Sequence, residues 1–307
     1  MAEPSVMTGP GPVVVVGAHA QGLLLHVEAI PKEGESVLGH GFEEPMDGGK
    51  ASNQAVALAR LGVPVRLLTI VGSDERGRRA LAYFREAGVD VDWSLVVDGP
   101  TDVGFVLLPP NAIPAIATAI DRNVDLDAAF VRSRAAALED ASVVVCQLEA
   151  PPEIALEAFR LARGYGARTI LNPSPVVSVD PELYRLCDVL VPNEHEAAEL
   201  AGRDGRPGEL AAVLGERLGA EAVVVTAGAD GAYVAADGRV EHVPTSRADP
   251  VDTTGAGDAF LGAVAARLRA GESLVEAAAY AVRAATIKVE RSGTMPSFAT
   301  ASEVGLR

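Results

Sequence analysis

The sequence predicts an α/β fold: a mainly parallel sheet with helices on both faces, three layers in all, and a small β lid. Three observations predict it. Short unbroken apolar runs such as "VVVVG" (13–17), "SVVVCQL" (142–148) and "AEAVVVTAG" (220–228) read as strands buried on both faces. From residue 141 onward such runs alternate with stretches of helical periodicity, the pattern of βαβ units. Two β-rich stretches, about 18–44 and 99–121, do not fit the alternation and suit a separate sheet covering the main one.

Taken in order, "VVVVG" is the first buried strand. The segment after it has short β-like pieces around Pro31 and Gly34 and is not a helix. "GGKASNQAVALARLG" (48–62) opens on a Gly pair, repeats Ala, Val and Leu at helical spacing and closes on Gly62. "VRLLTIVG" (65–72) reads as one buried strand, and "SDERGRRALAYFREAG" (73–88) as an amphipathic helix with a Gly stop. "TDVGFVLLPPNAIPAIATAI" (101–120) suggests a hairpin turning at Pro109–Asn111. Then come a strand at 142–148, a helix over 152–164, strand "RTILN", strand "DVLVPN", a helix from near Glu194, strands 220–228 and "GAYVAA", and closing helices over about 256–270 and 273–290. No internal repeat or low-complexity linker divides the chain. The expected plan is a tail over 1–12 and a single domain over 13–307.

Bulk composition narrows the function. The 307 residues are 49% apolar, enough for a sizeable core. The formal net charge of −16 argues against nucleic acid or anionic membrane as a partner. A bound phosphate would need a local field from helix N-termini, a few Lys or Arg side chains, or a metal. No apolar run approaches the ~20 residues of a membrane span. The start "MAEPSVMTGPGP" has neither the basic end nor the apolar core of a secretory leader. Cys146 and Cys187 lie in apolar runs without disulfide or zinc spacing, so buried inert thiols and a cytoplasmic setting are expected.

The chemistry concentrates in five stretches. In "VDTTGAGDAF" (251–260), glycines let backbone N–H groups converge at a helix start, where phosphate oxygens bind. Asp258 in that first turn is either a helix-capping carboxylate or a general base for an alcohol attacking phosphorus. The stretch is not a Walker A loop, which needs G-x-x-x-x-G-K-[ST]. In "DGGKASNQA", Gly48 and Gly49 permit close backbone approach, and Lys50 and Asn53 offer donors on one helical turn. Glu149 in "CQLEAP" follows a strand, on the sheet edge where ligands of open parallel sheets bind; alternatively it is a solvated loop residue. Asn193 and Glu196 in "PNEHEAAEL" stand at a helix start, either as capping groups or as holders of hydrated Mg²⁺. "TAGADG" (226–231) is either a nucleotide-binding Gly-rich turn or a plain hairpin turn.

Together these stretches resemble the ribokinase-like carbohydrate kinase (PfkB) family, over about residues 13–298. "GGKASNQAVALARLG" looks like the family's N-terminal signature and "DTTGAGDAF" its C-terminal one, roughly 200 residues apart. The resemblance implies the ribokinase-like fold and ATP-dependent phosphorylation of an alcohol, usually a sugar hydroxymethyl. It makes Asp258 the catalytic base and Gly255, Ala256 and Gly257 the anion hole. Asn193 and Glu196 match the N-x-x-E motif that organises Mg²⁺, with Glu196 acting through water. Thr226, Gly228 and Gly231 fall at the nucleotide, and Gly49, Lys50, Asn53 and Glu149 at the sugar. A monovalent cation, K⁺, is implied beside the anion hole, near Asp252, Thr254 and backbone oxygens from Lys288 to Gly293, with Ser297. Lid strands of the family commonly pair two subunits, so a homodimer through the lid is expected, also because its apolar strands would otherwise leave an exposed face.

The sequence departs from the family in places. Ribokinases follow the first strand with an N-x-D segment that holds sugar hydroxyls; here Ala20 and Gly22 stand at those positions, and the sugar is left undefined. His19 and Gln21 are either substrate-reading replacements or strand residues. Ala51 stands where a Gly is usual, and Val282 lies where an Asn often faces the adenine. Two other readings use the same residues. A nucleoside kinase would need aromatic residues in the lid to stack a base, for which Phe42 and Phe105 are the candidates. A non-catalytic sugar or nucleotide sensor would bind without turnover.

Overall fold

The computed structural model describes residues 10–45, 47–110, 115–119, 121 and 125–305. The strands and helices of the first half are β1 (Val13–Val16), β2 (Gln21–Val27), β3 (Gly39–Glu43), α1 (Lys50–Arg60), β4 (Val65–Leu68), β5 (Ile70–Gly72), α2 (Glu75–Glu86), β6 (Val89–Asp90), β7 (Leu95–Val97), β8 (Val103–Leu108), β9 (Ala115–Ala119) and α3 (Ala128–Ser133). Then follow β10 (Val143–Gln147), α4 (Pro152–Tyr165), β11 (Arg168–Asn172), α5 (Pro181–Arg185), β12 (Val189–Leu190), α6 (Glu194–Ala201), α7 (Pro207–Leu218), β13 (Ala222–Thr226), β14 (Ala232–Ala236), β15 (Arg239–Val243), α8 (Ala256–Arg269), α9 (Leu274–Val289) and α10 (Ala301–Gly305).

The main sheet has the order β15-β14-β13-β12-β11-β10-β1-β4-β6 among the described residues. It is parallel from β6 to β13, and only β14 and β15 run antiparallel. The all-apolar β1 lies between β10 and β4, which explains why it shows no polar alternation. Val13 and Val15 pack with α1, α2, α8 and α9, while Val14 and Val16 pack with α3, α4, α5, α6 and α7. The two faces therefore have separate cores, and the three-layer plan is observed.

The β-rich stretches that broke the alternation form a four-stranded sheet, β3-β2-β8-β9, with β2 parallel to β8 and the outer pairs antiparallel. β8 and β9 make the expected hairpin; Asn111 of its turn lies outside the described residues, as does most of the N-terminal tail. Pro10 and Gly11, also assigned to that tail, are pinned by the Arg269 guanidinium, whose Nε donates to the Gly11 carbonyl at 2.6 Å. One strand expectation needs correction. "VRLLTIVG" is two strands: β4 joins the main sheet, and after Thr69 β5 leaves it to pair with β7. An apolar run carries no mark of which neighbour its backbone will choose. Among the described residues no helix is long and apolar enough to cross a membrane.

Candidate active site

The carboxyl ends of β11, β12 and β13 and the N-termini of α1, α6 and α8 meet at one cleft of about 130 Å³, lined by Lys50, Asn172, Asn193, Glu196, Thr226, Gly255, Ala256, Gly257 and Asp258. Helix α8 starts at a Gly255 whose φ of 77° is left-handed, and a Cβ there would lie 2.4 Å from Thr294 Cγ2. No other residue fits without a shift. Above Gly257 a Cβ would meet nothing within 4 Å, so the first turn presents bare backbone to the cleft. That is the geometry of an anion site at a helix N-terminus.

Asp258 is 7% exposed at the edge of this turn. Asn53 Nδ2 donates to its Oδ2 at 2.9 Å, and Gln54 Nε2 to its Oδ1 at 3.0 Å. Burial raises the Asp258 pKa above the ordinary carboxylate value, although Lys50, Asn53 and Gln54 all oppose the shift. A buried carboxylate with a raised pKa is a stronger base than a solvated one. Gln54 was not singled out by sequence reasoning. It is fully buried, and its own oxygen accepts from Gln147 Nε2, so a chain of amides fixes the Asp258 carboxylate. The available signal was an amide one residue past Asn53, in a helix otherwise lined by Ala, Val and Leu.

Lys50 and Glu149 meet across 99 residues of sequence. The Lys50 backbone N–H donates to Glu149 Oε2 at 2.6 Å, capping a helix whose own N-cap, Gly49, has no side chain to do so. Glu149 is thus a long-range cap and not a solvated loop residue. Burial raises its pKa against the pull of Lys50. Burial alone would lower the Lys50 ammonium; the Asp258, Glu149 and Glu196 carboxylates outweigh it and hold its pKa above the ordinary lysine value. The glycine pair allows this crowding. A Cβ on Gly48 would lie 1.9 Å from the Ala20 carbonyl oxygen, and one on Gly49 2.7 Å from that of Ala18.

On the other side of the cleft, Asn193 caps α6 in a reciprocal box. Its side chain accepts from the Glu196 N–H at 2.9 Å, and Glu196 Oε2 accepts from the Asn193 N–H at 2.8 Å. The box uses only Oε2 of the Glu196 carboxylate. Among the described residues no group of three or more His, Cys, Asp or Glu side chains can hold a metal alone. The donor set fits Mg²⁺ only in its common form, one or two carboxylates completed by water and substrate phosphates. Thr226 pairs with Asn193 through a parallel bridge, and Gly228 and Gly231 flank the turn that follows.

Around Ala20 and Gly22, the positions where the family's N-x-D segment is absent, the corner is closed by other residues. His19 is buried; its Nδ1 lies 3.0 Å from both the Gly48 carbonyl oxygen and Ser52 Oγ. Burial lowers its pKa to about 4. It is a neutral brace for the glycine turn. Gln21 is also buried, at the first position of β2 in the four-stranded sheet, where it pairs with Val103 of β8. The space a Gly22 side chain would fill is already lined: a Cβ there would lie 3.4 Å from Asp47 Oδ1. A carboxylate does stand at this corner, brought from another segment. Burial raises its pKa, and its Oδ2 accepts from the Thr294 N–H at 3.1 Å.

The region matched to a monovalent cation is internally bonded. Asp252 Oδ1 accepts from the Thr254 N–H at 2.9 Å, and Oδ2 from the Gly293 N–H at 3.0 Å. The Asp252 carbonyl oxygen accepts from Lys288 Nζ at 2.7 Å. These residues do not fit a bound K⁺, because an ammonium already stands among its oxygens. A second, larger cleft of about 340 Å³ lies by Pro152, Glu153 and Asp180; two carboxylates and no cation suit it poorly to phosphate.

Comparison with known proteins identifies the family and the fold. The family model described as pfkB family carbohydrate kinase matches residues 12–301. The ribokinase of Schizosaccharomyces pombe is 32% identical over 309 residues, covering 95% of this chain and 96% of that protein. The crystal structure of ribokinase from Thermotoga maritima superposes with a TM-score of 0.88 at 27% identity, covering 96% of this chain and 98% of that one. Arabidopsis thaliana ribokinase, solved with ribose and ATP, gives a TM-score of 0.86 at 26% identity over 97% of this chain and 98% of its own.

Proposed function

The chain belongs to the pfkB family of carbohydrate kinases, phosphotransferases with an alcohol acceptor, and from that membership we propose that it moves the γ-phosphoryl group of ATP to a hydroxymethyl group of a small sugar. The observation that carries this reading is the juxtaposition in one cleft of the Asp258 carboxylate, the bare N–H groups of 255–257 and the Lys50 ammonium. Ribose or a near pentose is the first candidate, supported by the ribokinase relatives and by the Asp47 carboxylate beside Gly22.

In this mechanism the sugar hydroxyl gives its proton to Asp258 as its oxygen bonds to the γ-phosphorus. The bond from that phosphorus to the β–γ bridging oxygen breaks, and ADP leaves. The 255–257 N–H groups and Lys50 meet the charge that develops on the transferring phosphoryl oxygens. Asn53 and Gln54 keep the Asp258 carboxylate aimed. Bound Mg²⁺ would neutralise phosphate charge, held by Glu196 through water beside Asn193. Thr226, Gly228 and Gly231 would border the nucleotide, and Gly49, Lys50, Asn53 and Glu149 the sugar. Closure of the lid would exclude water and limit ATP hydrolysis. Exposed Leu38, Phe42 and Phe105 on and beside the lid strands support a homodimer through that sheet.

The test is ATP turnover across pentoses, hexoses, polyols and nucleosides. Turnover with a pentose or hexose supports the proposal. Turnover restricted to nucleosides, or ligand binding with no turnover on any of them, overturns it in favour of a nucleoside kinase or a sensor.

A further inference from the structure

Lysine is almost never fully buried without a partner, and Lys288 is 0% exposed. It lies in the last turn of α9, where helix carbonyls favour a cation. Its Nζ donates to the Asp252 carbonyl oxygen at 2.7 Å and stands 3.9 Å from Asp252 Oδ2. Asp47 is the second carboxylate acting on it; burial lowers the Lys288 pKa, and both carboxylates oppose that. The N–H groups of Val251 and Asp252 both donate to the Val289 carbonyl, so the end of α9 and the start of the 251–257 loop are one unit. Three other oxygens of this corner have protein donors as well: Ser297 Oγ donates to the Gly293 carbonyl at 2.8 Å, and the Gly293 and Thr254 N–H groups donate to the two Asp252 carboxylate oxygens.

We infer that Lys288 is a built-in monovalent cation: its ammonium holds the loop that enters the 255–257 anion site, and the protein needs no K⁺ there. An ammonium and a potassium ion carry the same charge and are close in size. Two such charges do not share one small cage of oxygens, so the side chain replaces the ion. This rests on reading 252–258 as the phosphate side of the site. The chemistry asked of Lys288 is positional, since it reaches the loop backbone and not the reacting atoms.

The experiment compares wild type, Lys288→Ala and Lys288→Met in buffer with tetramethylammonium as the only monovalent cation, then with K⁺ added, reading both Tm and ATP turnover. For wild type, turnover should change by less than about twofold and Tm should not move, because an ion that does not bind shifts no equilibrium. Lys288→Ala should lose about a hundredfold in kcat/KM, the size a ~1 Å misplacement costs. K⁺ should then raise its Tm and recover at least about tenfold of the loss, by entering the vacated space. Lys288→Met fills the space without charge and should lose activity with no response to K⁺. A wild type whose Tm and turnover rise with K⁺ overturns the inference, as does a Lys288→Ala variant that is fully active without K⁺. If the variants do not fold, the wild-type titration decides alone. The Tm arm needs no turnover, so it separates this inference from failure of the proposed activity.

Discussion

Replacing Asp258 by Asn should stop phosphoryl transfer while sparing the fold. The side chain keeps its size, so the cleft keeps its shape. One carboxylate oxygen becomes an N–H₂ group, which then faces a donor, either Asn53 Nδ2 or Gln54 Nε2. Asn53 cannot turn its amide to compensate, because its oxygen already accepts from the Gly48 N–H at 3.3 Å. One hydrogen bond worth about 1 kcal/mol is lost. Against that, the substitution removes a charge that burial disfavours in the folded state, as the raised Asp258 pKa records. The two effects oppose each other, and Tm should move by no more than about 2–4 °C. Turnover has no such offset. Only a small part of the carboxylate is exposed, so water cannot readily take over as proton acceptor, and kcat should fall about 10³-fold, within the usual range for a general base. ATP affinity should hold within about threefold, since the lost interaction belongs to the transition state. The assay is a coupled ADP-release measurement beside calorimetric ATP titration. A kcat within about tenfold of wild type in a folded variant would refute the assignment of Asp258 as base.

Three further outcomes follow from the same geometry. Gln54→Leu removes a donor from Asp258 Oδ1, so the Asp258 pKa should rise further; the acid limb of kcat/KM, where the base takes up its proton, should move to higher pH, and an unmoved limb would show that Gln54 is only packing. His19 is neutral in the fold at pH values where an unfolded histidine is charged, so its contribution is complete above about 6.5 and is lost as pH falls toward about 4, a span worth about 3 kcal/mol; urea titrations of wild type and His19→Gln should converge over that window. Sedimentation at micromolar concentration should show a dimer for wild type and a monomer for the double change Phe42→Asp, Phe105→Asp, and a monomeric wild type would remove the lid interface.

Much of the fold could be read from the chain because strands buried on both faces leave continuous apolar runs, as at β1, β10 and β13. α7 escaped the sequence reading, since Pro207 and Gly208 resemble a break; the structure uses the proline in the first turn, where its missing N–H costs nothing. Thr69 gave no sign of the strand division. In the candidate site, the glycine turn at 255–257 was legible because glycine spacing is a local demand of the backbone. Asp47, Gln54 and Lys288 were not, because their meaning depends on what comes to lie beside them from elsewhere. Lys288 was expected to contribute a carbonyl, and it contributes its ammonium.

The central strand has a consequence for synthesis. β1 needs β4, which follows after about fifty residues, and β10, whose Val143 pairs with Val13 across 130 positions. At ribosomal speeds of about 10 residues per second, "VVVV" waits on the order of ten seconds for its second partner. During that time a short, uncharged, β-branched segment has one edge open, the composition that recruits stray strands. The nascent chain must therefore shield β1, by chaperone or by early packing of α1 over Val13 and Val15, before the sheet can close around it.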